Sequence, residues 1–338
     1  TGDHISLTDT TSIDATGATA GGTVLIGGDW QGSNGTYQAT TTYMGQNVTI
    51  DASATDNGNG GRVVLWSDIT NANGWTKAYG NIYAKGGANG GDGGKIETSG
   101  HAVDTTGAYI NAGATFGLGG LWLLDPYDYI IDSSQASTIV TALNNGTSVT
   151  IDTAYSPSGG INGIDGGAGD IVVMNPIVKE WGGDATLTLK ANRMVSVEAD
   201  ITSSSGKLNL VLWSDYDGNQ DGGVSIGDYL NPIIIRTNGG NLWAGGSSTP
   251  NGLRTWLGLT VGNGPSVGDS SGIANMNALN LNAQITTNGG YVLIWAGNGG
   301  YEGYDGISLQ GNSTINAGNG DIILLANRLS DNGTLGVK

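Results

Sequence analysis

The fold is decided by a stretch that runs from Ile50-Asp51-Ala52 to Gly60-Gly61-Arg62-Val63-Val64-Leu65-Trp66. It consists of an isoleucine with small or polar residues, a glycine-rich turn and a short apolar run. Copies of this unit begin at further isoleucines: Ile13, Ile82, Ile110, Ile235, Ile285 and Ile315. The steps from Ile13 to Ile110 are 37, 32 and 28 residues, and the step from Ile285 to Ile315 is 30. Repeats of this length with short strands are typical of a β-solenoid.

Each repeat is expected to form one coil of an all-β, right-handed parallel β-helix. Alternating apolar residues would point inward, and Asn-Gly or Gly-Gly pairs would supply positive φ angles at the corners. Because each coil contacts only its neighbours, a chain of this length fits one continuous domain over residues 1–338. We expect the first coils in 1–132, an irregular insertion in 133–170 and further coils in 171–338.

Two regions interrupt the repeat. Residues 133–146 offer a serine as N-cap, apolar residues at helical spacing and an Asn-Gly stop, which predicts a short helical or loop insertion. Residues 245–278 are rich in Gly, Ser, Asn and Pro around one apolar cluster at Leu253, Trp256 and Leu257. This second region is predicted to be a loop insertion, and such insertions often carry binding specificity in solenoids.

Composition narrows the class of function. The chain has 338 residues, 62 of them Gly, and a formal net charge of −17. This negative charge argues against nucleic acid as a partner. The absence of cysteine excludes disulfides and Cys-ligated metals, and no apolar stretch is long enough for a membrane-spanning helix.

Several of the repeat motifs also resemble a known family, the filamentous-haemagglutinin-like exoproteins of bacterial two-partner secretion. The matching stretches begin at Val24, Gly60, Gly93, Leu121 and Leu208, and Thr-Asn-Gly-Gly turns begin at Thr237 and Thr287. The resemblance implies a secreted, extracellular protein that is exported through an outer-membrane transporter partner and displayed at the cell surface. It further implies adhesion, capture of haem proteins or surface architecture, without catalytic residues.

The segment from Asp215 to Gly222 is the strongest local motif. Oxygen-bearing side chains recur at every second residue, at Asp215, Asp217, Asn219 and Asp221. This spacing suits a tight loop around Ca²⁺, although Ile226 stands where an EF-hand has its glutamate. The alternatives are a calcium site and an acidic, solvated turn; no other cofactor is expected.

The tryptophans fall into two groups. Those at the ends of apolar runs are expected to form a stacked structural ladder: Trp66, Trp122, Trp213, Trp243 and Trp295. A glycan-stacking strip is the alternative for this group. Outside that phase, the candidates for contact with a ligand are Trp256 and Trp181, together with Leu253, and also Trp30 and Trp75.

Catalysis has little support in the sequence. A β-helical carbohydrate-active enzyme would need paired carboxylates beside basic residues. The acidic group nearest to that pattern is Asp104, Asp125 and Asp128, and the basic residues are scattered. With two distant histidines and no cysteine, a transition-metal or triad site is also not expected.

Strand patterns run from Ile5 to Val337 without a predicted capping element. Uncapped coils would either continue into neighbouring sequence or stack head to tail on a second copy. The leading hypothesis is therefore a surface adhesin or extracellular fibre subunit, whose partner is itself or a host or environmental glycan or protein. A haem-carrier or glycan-binding module, and then a carbohydrate-active enzyme, are the alternatives.

Overall fold

The computed structural model of the chain describes residues 2–153, 169–219, 222–227, 232–247, 252–267, 279–297, 306–311, 313–326, 329–331 and 336–337. The chain forms two compact units. The first comprises Thr1–Asp128, Ser133–Pro157 and Trp181–Thr186, and the second comprises Tyr129–Asp132, Ser158–Glu180 and Leu187–Lys338. The single continuous domain expected from the sequence stays a prediction.

Short strands dominate the described residues. The elements up to Asp152 are β1 (His4–Leu7), β2 (Ser12–Asp14), β3 (Thr23–Ile26), a 3-10 turn (Trp30–Gly32), β4 (Thr41–Met44), β5 (Thr49–Asp51), β6 (Arg62–Trp66), β7 (Trp75–Ala78), β8 (Asn81–Tyr83), β9 (Lys95–Ser99), β10 (Ala102–Asp104), β11 (Tyr109–Asn111), β12 (Leu121–Asp125), β13 (Tyr129–Ile131), α1 (Ser133–Asn144) and β14 (Ser148–Asp152).

The elements after Asp152 are all strands. They are β15 (Ile171–Val173), β16 (Ile177–Lys179), β17 (Ala185–Lys190), β18 (Val195–Val197), β19 (Ile201–Ser203), β20 (Leu208–Ser214), β21 (Val224–Ile226), β22 (Ile233–Arg236), β23 (Leu242–Gly246), β24 (Leu253–Trp256), β25 (Leu259–Gly262), β26 (Leu279–Leu281), β27 (Ala283–Thr286), β28 (Val292–Ala296), β29 (Ile307–Leu309), β30 (Thr314–Asn316), β31 (Ile322–Ala326), β32 (Leu329–Asp331) and β33 (Gly336–Val337).

In the first unit, three successive strands enter three different parallel sheets, and the fourth strand returns beside the first. The first sheet has the order β1-β4-β7-β10, and the second has β2-β5-β8-β11. The third sheet contains β3-β6-β9-β12-β14. This succession is the arrangement expected of a parallel β-solenoid, because each strand pairs with the equivalent strand of the next coil.

The second unit repeats the same succession. Its sheets include β13-β15-β18-β21-β26-β29-β32, then β16-β19-β22-β27-β30-β33, and a third set β20-β23-β28-β31. One antiparallel pair, β24 with β25, interrupts the coils. β17 has its first two residues in the first unit and the rest in the second.

The repeating isoleucines form the rows that fill the coils. In the first unit the register places Ile13, Ile50, Ile82 and Ile110 opposite one another. In the second unit a longer row contains Ile177, Ile201, Ile235, Ile285 and Ile315. All of them except Ile13 are fully buried. Burial of each such side chain contributes about 1.5–3 kcal/mol. The isoleucines that mark the repeat in the sequence are therefore also residues that stabilise each coil.

The corner glycines differ from the prediction in one respect. Gly60 and Gly93 do not have positive φ angles. They are needed because the next coil passes very close: an added Cβ would lie 2.0 Å from the Ala84 carbonyl oxygen at Gly60, and 1.7 Å from that of Ala112 at Gly93. At the Thr-Asn-Gly-Gly turns of the second unit the prediction is correct, since Asn238, Gly239, Asn288 and Gly289 all have positive φ.

Helix α1 takes the place of a strand within a coil. It follows β13, packs on β11 and β14, and buries Ala136, Ile139, Ala142 and Leu143. Its end is closed by the amides of Gly146 and Thr147, which donate to the Leu143 and Ala142 carbonyls, as in a Schellman motif. The helix therefore forms one side of a coil and does not protrude from the coil as an insertion.

The structure also corrects the two predicted irregular regions. The range 133–170 contains the regular elements α1 and β14, while residues 154–168 lie outside the described residues. In 245–278 the described part forms the antiparallel hairpin β24–β25, which was expected to be a loop. Residues 248–251 and 268–278 of that range lie outside the described residues. Among the described helices, none has the length and hydropathy to cross a membrane.

Two segments cover the third-sheet strands on the face that points away from the core, the outer face. In the first unit, the flap (residues 28–38) places Trp30 against Val64, Trp66 and Ile69. In the second unit, the hairpin (β24–β25) places Leu259 and Val261 against a larger apolar cluster. That cluster contains Val211, Trp213, Trp243 and Leu293. Each cover buries part of an outer face, and the two covers do so with different chemistry.

Candidate functional site

A pocket of about 440 Å³ opens in the first unit where the strands of the second sheet end. Strands β5, β8 and β11 end there, so residues from three successive coils and from the end of α1 meet. The lining is Asp51, Ser53, Ala54, Thr55, Lys85, Gly86, Ala88, Asn111, Gly113, Ala114, Thr115 and Asn145. The lining combines small residues with polar ones. We call it the polar pocket.

Hydrogen bonds between coils fix one side of the polar pocket. The Asp51 carboxylate accepts a bond from the backbone N–H of Ser53 at 2.8 Å. The Ser53 hydroxyl accepts one from the backbone N–H of Lys85, in the next coil, at 2.9 Å. Because these bonds use backbone donors, they hold the pocket wall in place and leave the Lys85 side chain exposed.

The opposite side is fixed by two amide side chains. Asn111 accepts a bond from the backbone N–H of Gly113 at 2.9 Å. Asn145, just beyond α1, accepts one from the Tyr109 hydroxyl at 3.2 Å. At Gly113 an added Cβ would lie 2.1 Å from the Asn145 carbonyl oxygen, so a larger residue would push the helix end away. The pocket is therefore preformed by glycine and by amides that already have fixed positions.

Aromatic side chains flank this pocket. The Tyr83 and Tyr109 rings lie 5.7 Å apart, and the Lys85 ammonium lies 5.3 Å from the Tyr83 ring centroid. Burial raises the pKa of the Tyr83 hydroxyl, with Tyr109 and Asp51 acting in the same direction. Phe116 directly follows the lining residue Thr115 and is 73% exposed. The pocket thus combines hydrogen-bonding groups with an exposed ring in the adjoining turn.

The polar pocket holds one carboxylate, one ammonium group, and several amide and hydroxyl groups. Such a set can donate to and accept from a ligand with many hydroxyl groups. Across the part of the chain that the structure describes, no cluster of three or more His, Asp or Glu residues is placed to hold a metal.

The ligand-contact residues expected from the sequence do not form one site. Leu253 and Trp256 both lie on the hairpin of the second unit, where Leu253 is 62% exposed and Trp256 packs partly against the apolar cluster. Trp181 belongs to the first unit. It is 57% exposed, and its backbone N–H donates to the Asn144 side chain. None of the three lines the polar pocket.

The expected calcium ligands lie in a turn whose side chains already have partners. Asp215 is buried and has positive φ. The Asp217 carboxylate accepts bonds from the backbone N–H and the side-chain amide of Asn219, and burial raises its pKa. Asp221 lies outside the described residues. The calcium site stays a prediction.

The tryptophan ladder is corrected by the register. Trp122 lies in the core row opposite Ile96 and Val149, and its N–H donates to Thr98. Trp66 lies opposite Ser99 beneath the flap. In the second unit Trp213 pairs with Gly245, and Trp295 pairs with Leu325. Trp213 and Trp243 do contact, edge to face at 6.1 Å. The apolar runs that these tryptophans end do not align in the strand register, so the five rings do not stack in one ladder.

The polar pocket was missed in the sequence, although a signal for it exists. Small residues stand four positions after Ile50, Ile82 and Ile110, as Ala54, Gly86 and Ala114, and all three line the pocket. A larger side chain at these positions would fill part of the concavity. When compared with known proteins, the sequence matches no family model and has no match among curated proteins.

Proposed function

We propose that this protein is a carbohydrate-binding adhesin, built on a right-handed parallel β-helix, that holds its glycan in the polar pocket. One observation carries the proposal: three coils and the end of α1 converge on a preformed pocket whose walls offer hydroxyl, amide, carboxylate and ammonium groups. Secretion, export through an outer-membrane partner and display at the cell surface belong to the same proposal and rest on the resemblance of the repeat motifs.

The geometry of the pocket suits a chain of sugar rings. Successive coils are about 4.8 Å apart, so equivalent side chains recur along the pocket at regular intervals. Asp51, Asn111 and Asn145 can each bond a sugar hydroxyl, and Lys85 can donate to another. Phe116 offers an exposed ring on which the apolar face of a sugar can pack.

Binding is favoured over hydrolysis because of the carboxylates. Glycoside hydrolysis generally uses two carboxyl groups on either side of the scissile bond. Asp51 is the single carboxylate in the lining of the pocket. A carbohydrate-active enzyme is therefore the weaker proposal for this site.

A glycan array probed with the purified chain tests the proposal, followed by titration of any bound oligosaccharide into two variants. Lys85→Gln should weaken binding at least tenfold, because a hydrogen bond from a charged group contributes about 1.5–3 kcal/mol. Lys77→Gln is the matched control, since Lys77 is also exposed and lies 5.1 Å from the Trp75 ring, away from the pocket.

Two outcomes would contradict the proposal. One is an array without any bound glycan. The other is an equal loss of affinity in Lys85→Gln and Lys77→Gln, which would place the glycan elsewhere. Thermal melting of both variants establishes that they fold as the parent chain does.

A further inference from the structure

A tryptophan lies next to the end of the polar pocket that Asn145 forms. Asn144, the last residue of α1, accepts a hydrogen bond from the backbone N–H of Trp181 at 3.2 Å. At Gly182 an added Cβ would lie 1.9 Å from the Asn144 carbonyl oxygen. The segment that starts at Trp181 therefore passes directly against the end of α1, beside a residue that lines the pocket.

The third sheet shows the order in which the segments around the pocket are stacked. Strands β12, β14 and β17 are neighbours in this sheet. The residues that lead into these strands are 113–120, 145–147 and 181–184, respectively. Asn145 contacts the first of these segments, because an added Cβ at Gly113 would lie 2.1 Å from the Asn145 carbonyl oxygen. Trp181 consequently belongs to the coil that follows the one containing Asn145.

Exposed aromatic side chains occur on both of the outer segments. Trp181 is 57% exposed, and Phe116 in the first segment is 73% exposed. The backbone N–H of Leu118 donates to the Asp92 carboxylate at 2.7 Å, which holds the turn after Phe116 in place. Exposed rings of this kind offer surfaces on which the apolar face of a sugar can pack. A ligand that extends out of the pocket can therefore meet an aromatic ring on either coil.

The charges around these segments are mainly negative. Lys85 is the single ammonium group in the pocket lining, and Asp51 in the same lining offsets its charge. Asp92 holds the turn of the first segment, and Asp184 is exposed close behind Trp181 in the chain. Carboxylates repel the carboxylate or sulfate groups of acidic glycans. The site therefore favours a glycan without negative charge.

The pocket lining favours one class of neutral sugar. It includes the methyl groups of Ala54, Ala88 and Ala114, and the side-chain amides of Asn111 and Asn145. An acetamido group combines a methyl group with an amide that both donates and accepts hydrogen bonds. It can cover the alanine methyl groups while it bonds to the polar groups, whereas a hydroxyl group would leave those methyl groups in contact with water. An N-acetylated amino sugar therefore matches both parts of the lining.

We infer that the ligand is a neutral chain of N-acetylated amino sugars that occupies the polar pocket and extends over the next coil onto Trp181. This inference rests on the proposed function and gives it a substrate class. Because neighbouring coils are about 4.8 Å apart, the path from Gly113 to Trp181 spans two such spacings. Only a chain of several linked sugars reaches from the pocket to the tryptophan.

Calorimetric titration of the full chain with chitin oligosaccharides of two and of six sugars tests this inference, because these chains are neutral and carry an acetamido group on every sugar. Trp181→Ala should weaken binding of the six-sugar chain about tenfold, since the contact with the ring is lost. Binding of the two-sugar chain should not change. Trp181→Phe keeps an aromatic ring and should retain most of the affinity for the six-sugar chain.

Tyr37→Ala is the matched control, since Tyr37 is 56% exposed on the flap of the same unit and does not line the pocket. It should leave binding of both chitin chains unchanged. Lys85→Gln should weaken binding of both, because both occupy the pocket. Oligogalacturonates of the same lengths should bind about tenfold more weakly than the chitin chains, because the carboxylates around the site repel them.

The outcomes separate this inference from the proposed function. If Lys85→Gln weakens binding but Trp181→Ala behaves like Tyr37→Ala, a glycan occupies the pocket without reaching the tryptophan, and the inference is overturned alone. The same holds if the acidic chains bind as tightly as the chitin chains, or if the array yields a glycan while neither chitin chain binds. Absence of binding by every glycan would overturn the inference and the proposed function together.

Discussion

The flap and the hairpin cover equivalent faces of the two units by different means. The flap lies over β6 and β9, where the outer row contains Val64 and Glu97. The hairpin lies over β20, β23 and β28, where the outer row contains Val211, Trp243 and Leu293. One cover thus encloses a carboxylate, and the other encloses almost exclusively aromatic and aliphatic groups.

Glu97 ties the flap to the sheet. Its two carboxylate oxygens accept bonds from the Gln31 backbone N–H, each at 3.0 Å, and one also accepts from the Ser99 hydroxyl at 2.9 Å. Asp29, at the start of the flap, lies 3.3 Å from the Arg62 guanidinium. Burial raises the pKa of Glu97 to about 7, against the hydrogen bonds from Gln31 and Ser99. Glu97 therefore takes up its proton at a higher pH in the folded chain than in the unfolded chain.

The side chains beneath the hairpin contribute mainly apolar packing. Its cluster contains no carboxylate, and the Trp213 N–H is buried without a hydrogen-bond partner in the described structure. The Lys190 ammonium lies 5.5 Å from the Trp213 ring centroid at the edge of this cluster. The comparison teaches that the contribution of the flap region to stability should depend on pH, through Glu97. The contribution of the hairpin region should depend on the volume of the side chains it covers.

The largest effect is expected from Trp243→Ala. This ring is buried between Val211 and Leu293 beneath the hairpin, and its removal leaves a cavity that costs about 3–5 kcal/mol. Trp30→Ala removes a half-buried ring from the flap and should cost about half as much. Urea unfolding of both variants measures the difference. Equal losses would mean that the two covers contribute alike.

A smaller effect is expected from pH. The unfolded-state pKa of Glu97 is near 4.5 and the folded one near 7, so between these values the folded protein binds more protons. The free energy of unfolding should therefore fall as pH rises from 4.5 to 7, by about 3 kcal/mol in all, and then level off. Glu97→Gln should remove most of that slope in urea unfolding curves, because the raised pKa of Asp217 contributes only the remainder. If the parent chain and Glu97→Gln had parallel pH profiles, Glu97 would not be the source of the pH dependence.

The smallest effect is expected from Trp213→Phe. Its indole N–H has no partner among the described residues, so its removal costs packing but no hydrogen bond, and the change should stay within about 1 kcal/mol. Trp122→Phe removes an N–H that donates to the Thr98 hydroxyl at 3.0 Å, and should cost about 1 kcal/mol more. Thermal melting distinguishes the two, and a more harmful Trp213→Phe would point to a bond formed by that indole in solution.

The strand rows could be predicted from sequence because they follow a local periodicity. The spacing from Ile50 to Ile82 and Ile110 sets the register directly, and the observed pairs match it. The Thr-Asn-Gly-Gly turns at Thr237 and Thr287 were predictable for the same reason, since Asn-Gly adopts positive φ through local sterics. These features need no knowledge of distant residues.

The covers and the polar pocket could not be predicted in this way. Glu97 accepts its bonds from Gln31, 66 residues earlier, and no sequence pattern joins the two positions. The hairpin was hidden because Leu257 stands where a hairpin turn normally has asparagine or glycine. The pocket arises from small residues in three coils together with Asn145 beyond α1, so it exists only after the coils stack.

Helix α1 sets a boundary for the second sheet of the first unit. It rests on β11 in the place of a further strand, and a helix offers no extended edge for pairing. Whole coils could be duplicated or deleted between β2 and β11 while the helix still closed the last of them. We therefore expect that the number of strands in that sheet can change without any change in the helix that ends it.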